Sequence, residues 1–400
     1  MPPESPSSRK VVVTGLGILA PTPYLEALEG RRAHPPSPAP ELTGFEAAEG
    51  APAYGFELAD FKIEDHLPNV KTFVDRTSAL ALAAAKRALA DAGLLDPAAR
   101  PQGVEIGCAY GSTMGCLEAM GIFWKKCKSG NPKFAPPLAF THGYANSPSS
   151  LLCIEFGLRG AAATFSGERL AGVEAILFAY DQIASGSAEI VLTGASESLT
   201  RAVHAHLFSE GRLSSSGRAN IWNEDNDGVV PGEGGAFLVL ESADSAAARG
   251  RTAYAELAAV TIGSGSAVNP YLEAWDRAGE DALRDVTVAS GPVLVIAATP
   301  EEPSVDSWER PFWARRLAKA PSAAAIAPKL FTGELMSVSP VLSACLAAEI
   351  LGEKRNGTGL PGAVALAEGQ SAPATGPFSL VFAGAIDPLA AAGLVVLRKA

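Results

Sequence analysis

The stretch Asp227-Gly228-Val229-Val230-Pro231-Gly232-Glu233-Gly234-Gly235-Ala236 runs directly into Phe237-Leu238-Val239-Leu240-Glu241. Its four glycines allow the backbone to turn sharply and to lie close to a neighbouring element. The apolar run that follows the glycines predicts a buried strand. The stretch is therefore interpreted as scaffold, a tight turn that leads into a sheet.

Strands and helices alternate on both sides of this stretch. Thr77 to Ala92 is rich in Ala and Leu and is followed by Gly93, which predicts a helix that ends there. The other predicted elements are strands at 11–15 and 104–110, a helix at 170–183, strands at 190–193, 237–241, 253–262 and 293–298, a helix at 341–351, and strands at 378–383 and 393–397. This alternation predicts a layered α/β fold with buried sheets.

The composition fits one large domain or two fused halves. The chain has 400 residues, of which 48% are hydrophobic, enough for a large core. A formal net charge of −11 argues against a nucleic-acid surface, which needs clustered Lys and Arg. Lys125, Lys126 and Lys128 form the densest basic run. It is interpreted as a solvated loop or helix end, with a surface for an acidic carrier protein as the alternative.

The cysteines and the apolar segments predict a cytoplasmic protein without metal or cofactor. The five cysteines form no CxxC pair, which argues against a zinc site or a disulfide framework. Residues 1–8 are rich in Pro and Ser and are expected to be a disordered leader. Val11 to Ala20 resembles a short signal peptide, but its β-branched residues favour a buried strand. No later run reaches the roughly 18 apolar residues of a membrane span.

Gly15-Leu16-Gly17-Ile18-Leu19-Ala20 formally matches the dinucleotide-binding fingerprint because it follows a predicted strand. That motif requires a helix that begins at the glycines and an acidic residue about twenty positions later. Here Pro21 and Pro23 follow, and Glu41 lies in a Pro-rich loop. The match is therefore interpreted as a strand-to-loop turn.

Asp227 to Glu241 resembles the part of the β-ketoacyl synthases in which an Asp-Gly turn precedes Gly-Glu-Gly and a hydrophobic strand. Other segments resemble the same family, in the expected order, along nearly the whole chain. They are Val11 to Gly17, Asp75-Arg76 with the 77–92 helix and Gly93-Leu94, Gly111 to Gly115, Asn146 to Gly160, and Gly194 to Glu197. The resemblance implies the thiolase fold, with five α-β-α-β-α layers built from two similar halves. We assign the halves to residues 9–250 and 251–400.

The resemblance also implies where the catalytic residues of the family would lie. These enzymes place a Cys at the start of a buried helix, and Ser166 is assigned to this position. Their two histidines, in a His-Gly-Thr and a Gly-His motif, would fall near Ala298 and at Pro340, with a preceding lysine at Leu335. The last histidine of the chain is His206, so both are missing. We therefore expect no decarboxylative condensation by this chain alone.

A synthase-like chain without these groups resembles a chain-length factor, the inactive partner in type II polyketide synthases, including those that make aryl polyenes. The resemblance implies a heterodimer with an active ketosynthase, an acyl carrier protein, and a tunnel for the acyl or polyketide chain. A helix after the third strand of the family would present Tyr110, Thr113, Met114 and Leu117 on one face. These residues are either tunnel lining or ordinary core.

Two other functions remain open. In the first, Ser166 is the nucleophile of an acyltransferase or hydrolase that acts on carrier-bound chains, with His142 or Glu168 as its base. In the second, the protein is a scaffold that binds biosynthetic enzymes without shaping a tunnel. Glu168 and Arg169 form either a buried ion pair that fills the former acyl pocket or part of a subunit boundary.

Overall fold

The computed structural model describes residues 9–69, 73–130, 132–222, 225–266, 269–284, 291–298, 303–318, 320, 322–353, 360, 362–366, 377–387 and 389–400. The expected leader at 1–8, and Thr299 and Pro300 beside Ala298, lie outside these residues. The strands are β1 (Val11–Leu19), β2 (Ile106–Ser112), β3 (Ala162–Ser166), β4 (Ile190–Glu197), β5 (Gly234–Ser242), β6 (Ala255–Ser264), β7 (Val293–Ile296), β8 (Ala323–Ile326), β9 (Ala363–Val364), β10 (Leu380–Asp387) and β11 (Ala391–Arg398).

The described α-helices alternate with these strands. They are α1 (Thr22–Leu28), α2 (Arg76–Asp91), α3 (Leu117–Ser129), α4 (Pro137–Thr141), α5 (Ser147–Phe156), α6 (Ala171–Ala184), α7 (Arg201–Ser209), α8 (Ala243–Ala248), α9 (Pro270–Arg284), α10 (Pro303–Arg316), α11 (Lys329–Thr332) and α12 (Val338–Leu351). Apart from the helix predicted over Tyr110 to Leu117, every strand and helix that the sequence predicted is present among the described residues, with ends that differ by a few residues.

The strand order shows the two similar halves that the sequence led us to expect. The order across the sheet is β3-β2-β4-β5-β1-β6-β11-β10-β7-β8-β9. The first half has the strand order β3-β2-β4-β5-β1. The second half has the same order when it is followed from its outer side inwards, as β8-β7-β10-β11-β6. The strand directions repeat too: β2 is parallel to β3 and β4, and β7 is parallel to β8 and β10. The halves join where β1 pairs with β6 over two residue pairs, Val12 with Glu256 and Val13 with Ala255.

The two halves stack in five layers, as predicted. One core cluster lies between α2 and α5 and the outer face of the first half. A second cluster surrounds α6 and α12 between the two halves, and a third lies under α9 and α10. None of the described helices is long and apolar enough to cross a bilayer.

Two sequence motifs have a structural role in the first half. Gly17 lies inside β1, and a Cβ at this position would stand 2.0 Å from the carbonyl oxygen of Ala84 in α2. The glycines of the formal dinucleotide motif therefore allow α2 to pack closely on β1. Glu233, from the Gly-Glu-Gly motif, is buried and accepts a hydrogen bond from Arg76 at 2.6 Å. This ion pair ties the start of α2 to the turn before β5.

The predicted helix over Tyr110 to Leu117 is wrong. Tyr110 lies within β2, where it pairs with Gly194 on one side and Thr164 on the other. Pairing on both edges keeps the strand extended to Ser112. A turn follows, with Gly115 in the left-handed region at φ 59°, and α3 begins only at Leu117. The four residues therefore do not share one helical face.

Candidate functional site

The carboxyl ends of three neighbouring strands meet on one side of the first half. Ser112 ends β2, Ser166 ends β3 and Glu197 ends β4, and Ser112 pairs directly with Ser166. Because these strands are parallel, their last residues lie at the same edge of the sheet. In open α/β sheets this edge is where ligands bind. The segment from Lys329 to Ser339 of the second half contacts this edge, where Ser337 donates hydrogen bonds to Thr113 and Glu197.

Ser166 does not begin a helix. It is the exposed last residue of β3, and α6 starts only after the N-cap residue Leu170. Among the described residues, no hydrogen bond joins the Ser166 hydroxyl to His142 or Glu168. His142 Nδ1 instead lies 3.5 Å from Ser147 Oγ, and the Glu168 carbonyl accepts a hydrogen bond from Thr113. This arrangement gives no support to a Ser166 nucleophile with either residue as its base.

A cluster of three charged side chains lies beside the start of α6. Arg169 is 1% exposed, and its Nε donates to Glu334 Oε2 at 3.2 Å. Lys329 Nζ donates to the same oxygen at 2.9 Å. We call Arg169, Glu334 and Lys329 the ion cluster. The predicted buried ion pair of Arg169 therefore exists, but its partner is Glu334, 165 residues away, and not the neighbouring Glu168.

The electrostatics of the ion cluster are dominated by Glu334. Burial alone would raise the pKa of its carboxyl group, but the charges of Lys329 and Arg169 outweigh burial and hold the pKa below its ordinary value. The other carboxylate oxygen, Oε1, accepts hydrogen bonds from Met336 N at 2.7 Å and from Ser339 Oγ at 2.9 Å. The carboxylate is thus ionised and held by four donors.

Ala298, at the expected position of the first histidine, lies next to the ion cluster. Its carbonyl oxygen accepts a hydrogen bond from Lys329 Nζ at 2.8 Å, and its N–H donates to Glu309 Oε1 at 2.9 Å. Glu309 also accepts from the indole N–H of Trp222 at 2.9 Å, and burial raises the pKa of its carboxyl group. Ala298, the residue expected near the first histidine position, is therefore held through its backbone.

A second buried carboxylate, Glu197 at the end of β4, contacts the same 329–339 segment through Ser337. It accepts hydrogen bonds from Ser337 Oγ at 2.5 Å, from Met114 N at 3.2 Å and from Thr113 N. Burial raises the pKa of Glu197 to about 7, and the hydrogen bonds only partly oppose that effect. Glu197 thus joins the turn after β2 to the start of α12.

Leu335 and Pro340, which the sequence assigned to a lysine and a histidine position, are both buried. Leu335 belongs to the apolar cluster of the middle layer, and Pro340 lies in the first turn of α12. Lys329 and Glu334 were not predicted from the sequence as site residues. A signal for them exists, because Lys329 precedes Gly333-Glu334 by four residues. This spacing fits a lysine followed by a Gly-His motif in which Glu replaces His.

The four predicted tunnel residues separate into different surroundings. Met114 and Leu117 pack with Leu199, Val203, Leu207, Leu213 and Met336, a group that we call the Met336 cluster. Tyr110 belongs instead to the outer core, and its hydroxyl lies 2.8 Å from Ser196 Oγ. Thr113 belongs to neither cluster, and its Oγ1 accepts a hydrogen bond from Ser337 N at 3.2 Å.

No group of His, Cys, Asp or Glu among the described residues could hold a metal ion. A cleft of about 870 Å³ lies at the opposite ends of the strands, beside Ile106, Ala161 and Glu189. It includes none of the residues that the sequence assigned to the site.

The comparison with known families matches "Beta-ketoacyl synthase, N-terminal domain" to residues 38–246, more than half of the chain. The chain belongs to the β-ketoacyl synthase family. It is 31% identical over 261 residues to "Actinorhodin polyketide putative beta-ketoacyl synthase 2" of Streptomyces coelicolor, covering 62% of each protein. It is 27% identical over 276 residues to the 3-oxoacyl-[acyl-carrier-protein] synthase 2 of Staphylococcus aureus strain COL, covering 66% of the chain and 64% of the relative. These alignments span less than two thirds of either relative.

Solved structures of this β-ketoacyl synthase family share the fold over nearly the whole chain. A beta-ketoacyl synthase from Burkholderia phymatum STM815 has a TM-score of 0.82 at 23% identity. The ishigamide ketosynthase/chain length factor has a TM-score of 0.80 at 21% identity, and each comparison covers 98% of this chain and 100% of the other. At these identities the likeness shows the fold alone, and it confirms the thiolase fold predicted from the sequence.

Proposed function

We propose that the chain is a chain-length factor, the non-condensing partner of an active ketosynthase in type II polyketide biosynthesis. The ion cluster is the observation that carries this proposal. A guanidinium and an ammonium that share one buried carboxylate offer neither a thiolate nucleophile nor an imidazole donor to a thioester.

The proposal revises the positions of the lost catalytic residues. Arg169, buried at the start of α6, takes the nucleophile position in place of Ser166. Glu334, after Gly333, takes the position of the second histidine in place of Pro340, and Lys329 takes that of the lysine in place of Leu335. A buried cation beside a helix N-terminus is unfavourable on its own, because the helix dipole is positive there. The carboxylate of Glu334 compensates for this cost.

The exposed apolar surface supports a partner subunit. Strand β3 pairs with β2 on one side and lies at the edge of the sheet, where an exposed strand offers its backbone for pairing with another chain. In the part of the chain that precedes β3, Ile154 and Phe134 are each 78% exposed and Trp124 is 54% exposed. Large apolar side chains at such exposure mark an interaction surface. We propose that an active ketosynthase covers this surface in a cytoplasmic heterodimer that an acyl carrier protein serves.

Two of the structures that share the fold have names consistent with this proposal. One is the ishigamide ketosynthase/chain length factor. The other is a type II polyketide synthase acyl-carrier protein in complex with its ketosynthase bound to the hexaketide, with a TM-score of 0.72 at 20% identity. They support the kinds of partner proposed here, a ketosynthase and a carrier protein.

The test combines assembly with chemistry. The purified chain is expected neither to decarboxylate nor to condense malonyl-carrier substrate. It is expected to form a stable complex with an intact ketosynthase, with an interface that buries on the order of 2,000 Å² or more. Light scattering measures the assembly, and intact-mass analysis after incubation with acyl-carrier thioesters measures acylation. An acyl adduct that disappears in Ser166→Ala would favour the acyltransferase instead. A folded monomer without affinity for any ketosynthase would contradict the partner proposal.

Length control is the second part of the proposal, and it rests on the Met336 cluster. Met114 and Leu117 line this cluster next to Met336, two residues from Glu334 in the ion cluster. Leu117→Ala should open space there and lengthen the products of the reconstituted pair, at a stability cost of about 2 kcal/mol for a half-buried leucine. Leu95→Ala, which truncates another half-buried leucine that packs in the outer layer, is the matched control and should leave the length unchanged. Equal product lengths from both folded variants would mean that Leu117 is ordinary core.

A further inference from the structure

Cys108 faces the outer layer of the first half. Side chains alternate along β2, so Ile106, Cys108 and Tyr110 point to one face, and all three belong to the outer core cluster. Ala109 between them belongs to the middle-layer cluster instead. The Cys108 thiol is therefore fully buried beneath the helices that cover this face.

Cys153 lies on the side of α5 that packs against this face. Ser149, Leu152 and Phe156 are the buried residues around it on the helix. Cys153 is four residues after Ser149 and three before Phe156, spacings that place side chains on one helical face. Its thiol is half-buried and packs against the cluster that contains Cys108.

The contacts between α5, β3 and β2 place the Cys108 and Cys153 thiols at the same position along the strand direction. Ser149 Oγ lies 2.7 Å from Thr164 Oγ1 in β3. Four residues of helix advance about 6 Å from Ser149 to Cys153, and two residues of strand run back about 6.6 Å from Thr164 to Ala162. Ala162 pairs with Cys108 in the adjacent strand. The two thiols are close enough for each to shift the pKa of the other.

The surroundings make the two thiols unequal. The neighbouring Cys108 thiol lowers the pKa of Cys153 to about 7 although burial opposes it. Cys153 in turn, together with burial, raises the pKa of Cys108 well above its ordinary value. Because the thiolate is the reactive form, Cys153 is the attacking sulfur, and its partial exposure lets an oxidant reach it.

We propose that Cys108 and Cys153 form a redox-active pair that closes into an intrachain disulfide. With glutathione disulfide as oxidant, the Cys153 thiolate attacks one sulfur, the S–S bond breaks, and one glutathione thiolate leaves. Cys108 then attacks Cys153 Sγ in the mixed disulfide, gives its proton to the departing glutathione thiolate, and releases the second glutathione. The protein loses two electrons and two protons, and the oxidant becomes two glutathione thiols.

The disulfide would tie α5 to β2 just before the chain enters β3. This inference does not depend on the proposed function, because it concerns the outer layer and not the ion cluster. Cys116, Cys127 and Cys345 are the other free thiols and serve as internal references.

The test counts thiols in the full-length chain. After treatment with glutathione disulfide, alkylation under denaturing conditions should label three cysteines instead of five, and peptide mapping should join the peptides of Cys108 and Cys153. Cys127→Ser, which removes another half-buried cysteine, is the matched control and should still lose two thiols. A cross-link through Cys127, or retention of all five thiols, would overturn the proposal.

Single variants separate pairing from simple modification. Cys108→Ser, or Cys108→Ala where the serine destabilises the fold, should accumulate one stable glutathione on Cys153. Cys153→Ser should keep Cys108 reduced, because the buried thiol is not reached directly. A wild-type chain that stops at the mixed disulfide, like Cys108→Ser, would show that the thiols do not pair.

Discussion

Glu334 and Glu197 are both fully buried carboxylates, and Glu197 lies close to Glu334 in the structure because it accepts a hydrogen bond from Ser337. The charges that surround the two groups differ. Glu334 faces two cations, Arg169 and Lys329, and its pKa is lowered. The hydrogen bonds to Glu197 come from neutral donors, the hydroxyls of Ser337 and Ser112 and two backbone N–H groups, and its pKa is raised to about 7. Burial is the same in both cases, so the neighbouring charges decide the ionisation state.

The contrast indicates what each group does for the protein. The ion cluster is held together by opposite charges, and removing one member leaves the others buried at high cost. Glu197 holds the turn after β2 against α12 through neutral donors, and losing its charge costs little.

Glu334→Leu should lower the free energy of unfolding by about 3–5 kcal/mol, because it removes the carboxylate that Arg169 and Lys329 share inside the protein. Glu197→Gln is the matched control at the other buried carboxylate, and we expect a loss of about 1 kcal/mol or less near pH 5, where that carboxyl group is protonated, and no loss at neutral pH. Denaturant unfolding measures both variants at each pH.

The triple variant Arg169→Met, Lys329→Met, Glu334→Leu sharpens the same comparison. Replacing a buried ion network with apolar side chains of similar size is often neutral for stability. We therefore expect most of the loss in Glu334→Leu to be recovered. Equal stability of Glu334→Leu and Glu197→Gln would contradict the contrast between the two carboxylates.

The pH dependence of stability should run in opposite directions for the two groups. Glu197 has a higher pKa folded than unfolded, so the unfolded chain releases this proton first and the free energy of unfolding falls as pH rises from about 4.5 to 7. A pKa that moves from 4.5 to about 7 corresponds to a loss on the order of 3 kcal/mol. Glu334 has a lower pKa folded than unfolded, so its ionised carboxylate contributes stability above the ordinary pKa of a glutamate, and this stability is lost as the pH falls below that pKa.

The measurement is the difference in unfolding free energy between the wild type and Glu197→Gln at several pH values between 4 and 8. The wild type should lose its advantage as the pH rises. A difference that stays constant with pH would show that Glu197 has an ordinary pKa, and the contrast with Glu334 would fail.

Much of the fold could be predicted because its signals are local. Apolar runs such as Ile190 to Thr193 and the Ala-rich helix before Gly93 specify their own elements, and the order of motifs indicated the family. The helix expected from Tyr110 to Leu117 failed because spacing alone cannot reveal that β2 is paired on both edges.

The site was harder to predict because its partners are distant in sequence. Arg169 and Glu334 are separated by 165 residues, so nothing near Arg169 indicates its counter-ion. That no histidine follows His206 could be read from the sequence without alignment. The ion cluster required the geometry, because Lys329 and Glu334 become meaningful only when both are found beside Arg169.

The smallest effect concerns Tyr110, whose hydroxyl lies in the neighbourhood of Glu197 without bonding to it. Tyr110 Oη lies 2.8 Å from Ser196 Oγ, which itself donates to the Thr77 carbonyl at 2.8 Å. Tyr110→Phe removes one buried hydrogen bond and should cost about 1 kcal/mol.

Ser196→Ala and the double variant complete a double-mutant cycle for this hydrogen bond. The coupling energy between the two hydroxyls should be about 1 kcal/mol, since they are in direct contact. The pH dependence assigned to Glu197 should remain in Tyr110→Phe, because the hydrogen bonds to that carboxylate come from the hydroxyls of Ser337 and Ser112 and from the N–H groups of Thr113 and Met114, and not from Tyr110. If Tyr110→Phe abolished this pH dependence, Tyr110 would belong to the Glu197 network, and the neutral side of the comparison would have to include it.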